Sequence, residues 1–487
     1  MLVKKMEIKF FNSLTRSKEI FKPITKNKVG IYCCGPTVYS DPHVGHAKSA
    51  ITYDLLVRFL TYLGYKVRYV RNITDVGHLV DDADEGEDKI IKRSVIEKIE
   101  PMELVEKYMK NYFDSMDILN VLRPNISPRA SAHIPEQIIT IEKLIKKKCA
   151  YESNGSVYFD ITKFKDYGKL SKRDIKDQRI SSRNIALSEK KHSEDFALWK
   201  KADPKHILKW KSPWGYGYPG WHIECSVMSM KYLGETIDIH GGGTDLQFPH
   251  HECEIAQSES FTNKKFVNYW LHNSMVTVDG LKMSKSLGNF ITIKVLLEKF
   301  DPIVIRYFIL SGHYRKNLDF SQHTMESAKK NVEKIINTIK NIKKAVALGK
   351  NNKDNNEDKQ LIINLNNFKT EFLKKLADDL NTPEAIAEIF IFLKSNSKII
   401  AQLTNLNINT LKYMDKIFKD IFFDIFGFKL IENVEPNFSN INLSHLLEQL
   451  LALRETLRKK GFFEESDLIR QIIMNNGYLI NDPKINI

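Results

Sequence analysis

The stretch Cys33-Cys34-Gly35-Pro36-Thr37-Val38-Tyr39-Ser40-Asp41-Pro42-His43-Val44-Gly45-His46 constrains the fold more than any other part of the chain. Before it, Lys28–Cys33 is a short run rich in β-branched and aromatic residues, as a buried strand requires. After it, Ala47, Ile51, Leu55, Leu56, Phe59, Leu60 and Leu63 recur at helical spacing up to Gly64, a residue suited to ending a helix. Tyr65–Ile73 reads as a second strand and completes a βαβ unit. The stretch is therefore the first β-to-α turn of an open parallel sheet, where such sheets bind their ligands.

Around this unit the chain changes character several times. Residues 1–120 alternate strand and helix, whereas 121–220 loosen into Pro-rich turns, short strands such as Ser156–Phe159 and a basic segment at Lys169–Lys176. This reads as an insertion between two halves of a sheet, with Trp199 and Trp210 as packing residues. The sheet resumes near Trp221–Cys225; a strand at Thr236–His240 is expected to break at Gly241-Gly242-Gly243. Pro249 suits the first position of a helix that carries His250 and Glu254, four residues apart, on one face. Beyond about 325 helices dominate: Thr324–Leu348, Gln360–Ala377, one with Thr382 as N-cap and one over roughly 410–426. Residues 441–487 add two short helices and, after Gly477, a short strand. The acidic run Asp81–Asp88 lacks EF-hand spacing and reads as a solvated loop.

At 487 residues the chain has room for several domains, at ~100–200 residues each. The net charge of +14 suits a polyanionic partner, although a lysine-rich coding bias explains it equally well. Met1–Glu7 lacks the apolar core of a signal peptide, and no apolar run approaches membrane-spanning length, so the expectation is a cytoplasmic protein. Five cysteines are too few for a disulfide framework and read as thiols or metal ligands.

Four constellations carry chemistry. Two imidazoles at a helix start, His43 and His46, sit beside unpaired backbone N–H groups and suit charge developing on a phosphate; a cap and a packed ring is the plainer reading until the flanking strand and helix are considered. Lys282-Met283-Ser284-Lys285-Ser286 offers two ammonium groups on a loop, apt for β- and γ-phosphates or for nothing more than a basic surface. Cys34, Cys225, His250 and Glu254 are zinc-type ligands, with Cys33, His251 and Cys253 as neighbouring candidates and buried thiols as the plainer alternative. His240-Gly241-Gly242-Gly243-Thr244-Asp245 places glycines at a strand end, where a flat ligand could lie against backbone or the chain could simply turn.

Taken together the motifs resemble those of the cysteinyl-tRNA synthetases, a class I aminoacyl-tRNA synthetase family. The resemblance rests on Cys34–Tyr39 joined to His43–His46, on Asn72–Asp75, Gly220–Cys225, Asp238–Gly243, Phe248–Glu252, Lys282–Ser286 and Ser311–Arg315, and runs close to full length. It implies an α/β Rossmann-like catalytic domain split by an insertion, followed by an α-helical bundle and a small C-terminal α+β domain. The corresponding spans are 1–120 and 221–268 for the catalytic halves, 121–220 for the insertion, 269–325 for a stem-contact region, 326–430 for a tRNA-binding bundle and 431–487 for an anticodon-binding domain.

The resemblance implies that cysteine and ATP give cysteinyl-adenylate, and that the cysteinyl group passes to the 3′ end of tRNA(Cys). It assigns catalysis to His43, His46, Lys282 and Lys285, and ATP contacts to His43, His46, His240, Gly241, Gly242, Gly243 and Lys285. Gly35, Thr74, Trp221 and Asp245 would line the amino-acid pocket, with Asp245 facing the α-ammonium. One Zn2+ per chain, on Cys34, Cys225, His250 and Glu254, would bind the substrate thiolate and make editing unnecessary; Mg2+ would accompany ATP. A monomer with no membrane partner is expected. Two departures stand out: the loop over 76–88 is longer than in the shortest members, and Cys253 stands where other residues are common. The rivals are a cysteine ligase acting on an amino sugar, which would lack residues 326–487, and a zinc-stabilised RNA-binding protein, which would not need both phosphate motifs.

Overall fold

The computed structural model describes residues 6–79, 88–173, 189–204, 206–283, 288–349, 355–430 and 443–475. The chain divides into two compact units, Met1–Lys429 and Leu430–Ile487. In the first, strand β1 (Lys28–Cys33), helix α1 (Val44–Tyr62) and strand β2 (Lys66–Arg71) form the βαβ unit, with Cys33 opposite Arg71 in parallel register. Helix α1 gives way just before Gly64, whose φ of +91° glycine adopts without strain. Its apolar positions are fully buried at Ile51, Leu56, Phe59 and Leu60. At ~1.5–3 kcal/mol each, they account for the docking of the helix.

The chain continues through helix α2 (Lys89–Glu97), helix α3 (Trp221–Leu233), strand β3 (Ile237–Gly243), helix α4 (His250–Thr262) and strand β4 (Val267–Asn273). The sheet has the order β4-β3-β1-β2 and is parallel throughout. Because β1 lies between β2 and the distant β3, the carboxyl ends of β1 and β3 meet at the switch point of the sheet.

The glycines at 241–243 do not break the strand, contrary to the sequence expectation. β3 runs through Gly243, opposite Leu271–Asn273 of β4. Glycine here serves close packing, since a Cβ on Gly241 would lie 2.1 Å from the Tyr53 hydroxyl. That hydroxyl donates to the Leu271 carbonyl at 2.7 Å and lies 3.2 Å from the Gly242 carbonyl oxygen.

Between the sheet halves lies helix Ile134–Lys146 and a five-stranded antiparallel sheet ordered Ala150–Ser153, Ser156–Phe159, Phe196–Lys201, Gly215–Pro219, Trp210–Ser212. Trp199 is fully buried in its core and Trp210 packs against it. After β4, strands β5 (Val276–Val278), β6 (Leu281–Lys282) and β7 (Leu318–Phe320) form a small sheet ordered β6-β5-β7.

Helices Gln322–Leu348, Asn356–Ala377, Thr382–Ser395 and Ile408–Phe418 follow, the last continuing as a π-helical turn over Lys419–Ile425. Phe368, Phe372, Phe392 and Phe418 meet in their core. The N-cap of the third helix is Asn381, not Thr382: the Asn381 side-chain oxygen accepts from Glu384 N, while the Thr382 hydroxyl donates to the Gly312 carbonyl. In the second unit, helices Leu443–Lys459 and Phe463–Asn475 pack together through a turn at Gly461. The strand expected after Gly477 lies outside the described residues. Among the described residues no helix is long and apolar enough to cross a membrane.

Candidate active site and metal centre

A cavity of about 390 Å³ opens where β1 and β3 end, with Cys34, His43, His46, Trp221, Asp245 and Lys282 on its walls. Gly35, Thr74 and Gly243 line it as well. Gly35 is required by close approach: a Cβ there would lie 1.6 Å from the Asn72 carbonyl oxygen, and Gly35 N donates to Asn72 Oδ1 at 2.8 Å. The turn after β1 is thereby locked to the segment that follows β2.

His43 is the N-cap of α1, and its Nδ1 accepts from Gly45 N at 3.1 Å. His46 Nδ1 accepts from His43 N at 3.2 Å, so the two rings close a reciprocal capping box. With Nδ1 accepting in each ring, the neutral imidazoles carry their protons on Nε2. Gly45 admits this packing, because a Cβ would lie 2.8 Å from His43 Cε1.

The segment that follows the lysine motif is tied to the histidine motif. Val44 N donates to the Ile291 carbonyl at 3.1 Å, Ile293 N donates to the Pro42 carbonyl at 2.9 Å, and the His43 and Phe290 rings stand 5.0 Å apart. Lys282, at the end of β6, and Met283 line the same cavity; Lys285 lies outside the described residues. A further link escapes sequence reasoning. Lys48, only 1% exposed on α1, donates to the carbonyls of Met275 at 3.1 Å and Lys316 at 2.8 Å. It thus pins α1 to the segments leading into β5 and β7, the sheet that carries Lys282.

Donor atoms of Cys34, Cys225, His250 and Glu254 all lie within 4.8 Å of one another, and all four residues are buried. A second set, Cys34, His240, His251 and Glu254, satisfies the same distances. The two differ in access: Cys34, Cys225 and His250 line the cavity, whereas His240 and His251 do not. His251 is engaged from behind, with Nε2 3.2 Å from Cys34 Sγ and Nδ1 2.8 Å from His272 Nε2.

The first set fits a zinc-type ion. It offers two sulfurs, one imidazole and one carboxylate, and the buried Glu254 Oε2 makes no hydrogen bond. His250 Nε2 is 3.1 Å from Glu254 Oε1, and its Nδ1 is 3.0 Å from His222 Nδ1, the outer partner that orients a ligating ring. Burial pushes the Cys34 thiol up, the Cys225 thiol up to about 12 and the Glu254 carboxyl up to about 7. Without a bound cation the two thiols therefore keep their protons at neutral pH.

The neighbouring candidates separate cleanly. Cys253 is wholly buried among apolar side chains, with its Sγ 3.3 Å from Tyr167 Oη, and belongs to neither set. Cys33 is a buried strand residue. Among the glycine-motif residues, Gly243 lies on the cavity wall, while His240, Gly241 and Gly242 are buried and do not line it. Glu224, next to Cys225, is also buried and accepts from the Thr74 hydroxyl at 2.6 Å; burial raises its carboxyl pKa.

A parallel sheet with paired histidines at one helix start, hydrogen-bonded to the segment that follows a lysine-bearing hairpin, is the arrangement of a class I aminoacyl-tRNA synthetase, and residues 20–330 match the class I (C) tRNA synthetase catalytic domain. The chain is 48% identical to the cysteine–tRNA ligase of Chlorobaculum tepidum, over 97% of each chain. It is 45% identical to that of Thermus thermophilus, over 98% of each. Its fold is similar to that of Mycobacterium tuberculosis methionyl-tRNA synthetase in complex with methionyl-adenylate: TM-score 0.63 at 12% identity, covering 82% of this chain and 91% of the other. The chain belongs to the cysteine–tRNA ligase family, and its reaction is the ligation of cysteine to tRNA.

Proposed function

We propose that the chain activates cysteine with ATP and passes the cysteinyl group to the 3′-terminal adenosine of tRNA(Cys), with the residues at Cys34, Cys225, His250 and Glu254 holding one zinc ion. The observation that carries this reading is that Cys34, Cys225 and His250 line one cavity with His43, His46 and Lys282, and that the buried Glu254 carboxylate lies within 4.8 Å of all three donors.

In the first step a carboxylate oxygen of cysteine attacks the α-phosphorus of ATP, and the bond to pyrophosphate breaks. The Nε2–H groups of His43 and His46, together with the N-terminus of α1, stabilise the charge that develops on the α-phosphate. Lys282 and Lys285 hold the departing pyrophosphate, with Lys285 as the direct ATP contact and Mg2+ accompanying the nucleotide. Adenosine borders His240–Gly243, with Gly243 at the wall. Gly35, Thr74, Trp221 and Asp245 surround the amino acid, and the Asp245 carboxylate pairs with its α-ammonium. In the second step the terminal ribose hydroxyl attacks the carbonyl carbon and AMP leaves.

When bound, zinc supplies a soft partner that ligates the substrate's thiolate far better than a serine hydroxyl. An apolar pocket alone separates such similar side chains by only ~1–3 kcal/mol. Selection at binding removes the need for a hydrolytic editing step.

The domain assignments follow the same reading. Residues 1–120 and 221–268 form the two catalytic halves, a division supported by the pairing of β3 with β1 across the insertion at 121–220. Residues 269–325 contact the acceptor stem, while 326–430 and 431–487 serve tRNA, with the anticodon read by the last. The enzyme works as a cytoplasmic monomer. ATP–pyrophosphate exchange with cysteine, serine and methionine, followed by charging of total tRNA, tests the whole reading. Cysteine alone supports exchange and a cysteine-accepting tRNA is charged; exchange without charging would favour an amino-sugar ligase, and neither activity a binding protein.

A further inference from the structure

Trp221, the first residue of α3, stacks on two imidazoles. The His250 ring centroid lies 4.3 Å from that of the indole, and the His78 ring lies 4.1 Å away and nearly parallel to it, at 11°. His78 belongs to the segment after Asn72–Asp75, at the base of the long loop that the sequence leaves without a role, and it lines the same cavity as Trp221.

The backbone around His78 is built on both sides. Its carbonyl accepts from Lys89 N at 3.0 Å, and Leu79 pairs with Asp88 as an antiparallel bridge. Asp88 is not solvated, as the acidic run suggests, but buried: its Oδ1 caps α2 by accepting from Ile90 N and Ile91 N, and its Oδ2 accepts from Gly77 N at 3.1 Å. Gly77 has a φ of +76°, and a Cβ there would lie 2.3 Å from the Pro219 carbonyl oxygen, two residues before Trp221. The segment therefore packs flush against the approach to the indole.

The ring orientation is fixed as well. His78 Nε2 is 2.8 Å from Lys89 Nζ, and because an ammonium only donates, this nitrogen accepts. Nδ1 then carries the proton and donates to the Thr37 hydroxyl, in the turn that follows Gly35. Helix α2, the turn after β1 and the entry to α3 thus all bear on one imidazole.

We propose that His78 is a positioning residue of the amino-acid pocket: it holds the Trp221 indole against His250 and so sets the width available to the substrate side chain. The proposal rests on the reading of Trp221 as a wall of that pocket. A ring held by stacking and by two polar contacts loses little freedom when substrate arrives.

The test is ATP–pyrophosphate exchange by the zinc-loaded full-length enzyme and its variants, with cysteine and homocysteine as probes. His78→Ala raises the KM for cysteine about tenfold and lowers the preference for cysteine over homocysteine about tenfold, the scale of one methylene. The KM for ATP and the zinc content stay at wild-type values. His78→Gln, which keeps a hydrogen-bonding group without the ring, behaves like His78→Ala; His78→Phe, which keeps the ring, restores most of the affinity and the preference. An unchanged cysteine KM and preference in His78→Ala overturns the proposal, as does an equal rise in the KM for ATP. Trp221→Ala separates the two levels: if it leaves the cysteine KM unchanged, the pocket reading falls too, and if it raises it while His78→Ala does not, only the role of His78 falls.

Discussion

The Sγ of Cys34 lies 3.9 Å from the Sγ of Cys225, although 191 residues separate them. One follows the first strand of the sheet and the other sits in the first turns of α3, so the fold itself brings the thiols together. Replacing either by serine removes a soft ligand, and the purified variant is expected to lose its zinc. Cys253→Ser, whose thiol packs beside Tyr167, keeps it. Metal analysis of the three variants checks this, and zinc loss from Cys253→Ser would redraw the ligand set.

Proton release is expected to accompany metal uptake. The Cys34 and Cys225 thiols, with pKa values raised by burial, the second to about 12, hold their protons in the metal-free enzyme at pH 7, and Glu254 at about 7 is half protonated there. Coordination requires the ionised forms, so zinc binding liberates roughly two to three protons, and affinity weakens as the pH falls. Titration of metal-free enzyme with zinc in an indicator solution measures the number; the absence of release would mean that the thiols do not ligate.

His46→Ala and Lys282→Ala remove groups assigned to the phosphates and leave the metal ligands untouched. Exchange is expected to slow by about 10²–10³-fold for His46→Ala, the range for one preorganised donor, with unchanged zinc content. Pre-steady-state exchange with saturating cysteine reads the effect on chemistry.

Lys48 joins the two signature motifs through main-chain carbonyls of Met275 and Lys316, and burial pushes its ammonium down to about 8. Lys48→Met removes the side-chain tie between α1 and the segments leading into the sheet of Lys282, and is expected to lower exchange about tenfold while sparing the cysteine KM. The sign of the pH effect follows from the lowered value. Holding the charge costs stability below pH 8, and that cost disappears as the pH rises toward 10.5, so wild type gains on the variant across this window. At ~1.36 kcal/mol per unit the gain is on the order of 3 kcal/mol, readable from unfolding at about pH 7.5 and about pH 10.5.

Much of the site was legible because its residues sit at places the chain marks locally. His43 and His46 fall where an apolar strand pattern gives way to a helical one, and Lys282 follows an Asp279-Gly280 turn. The candidate metal ligands were legible from the residues as types, and as a set only through the family resemblance, since His250 and His251 are adjacent on a helix whose residues from His250 to Ser258 are all buried. Only the cavity distinguishes them. Lys48 escaped because a lysine within a helix looks like a solvated one, and its partners are backbone atoms that carry no sequence signal. His78 escaped because its loop is acidic and reads as solvent-facing, whereas Asp88 turns inward to cap α2. The glycines of β3 misled for a related reason: they mark the close approach of Tyr53 and not a turn.

X-ray absorption at the zinc edge tests the central claim most directly, because it counts sulfur neighbours of the metal. The account predicts two sulfur scatterers at ~2.3 Å in the zinc-loaded enzyme, three when cysteine is added and still two with serine. A sulfur count that does not change on adding cysteine would contradict it.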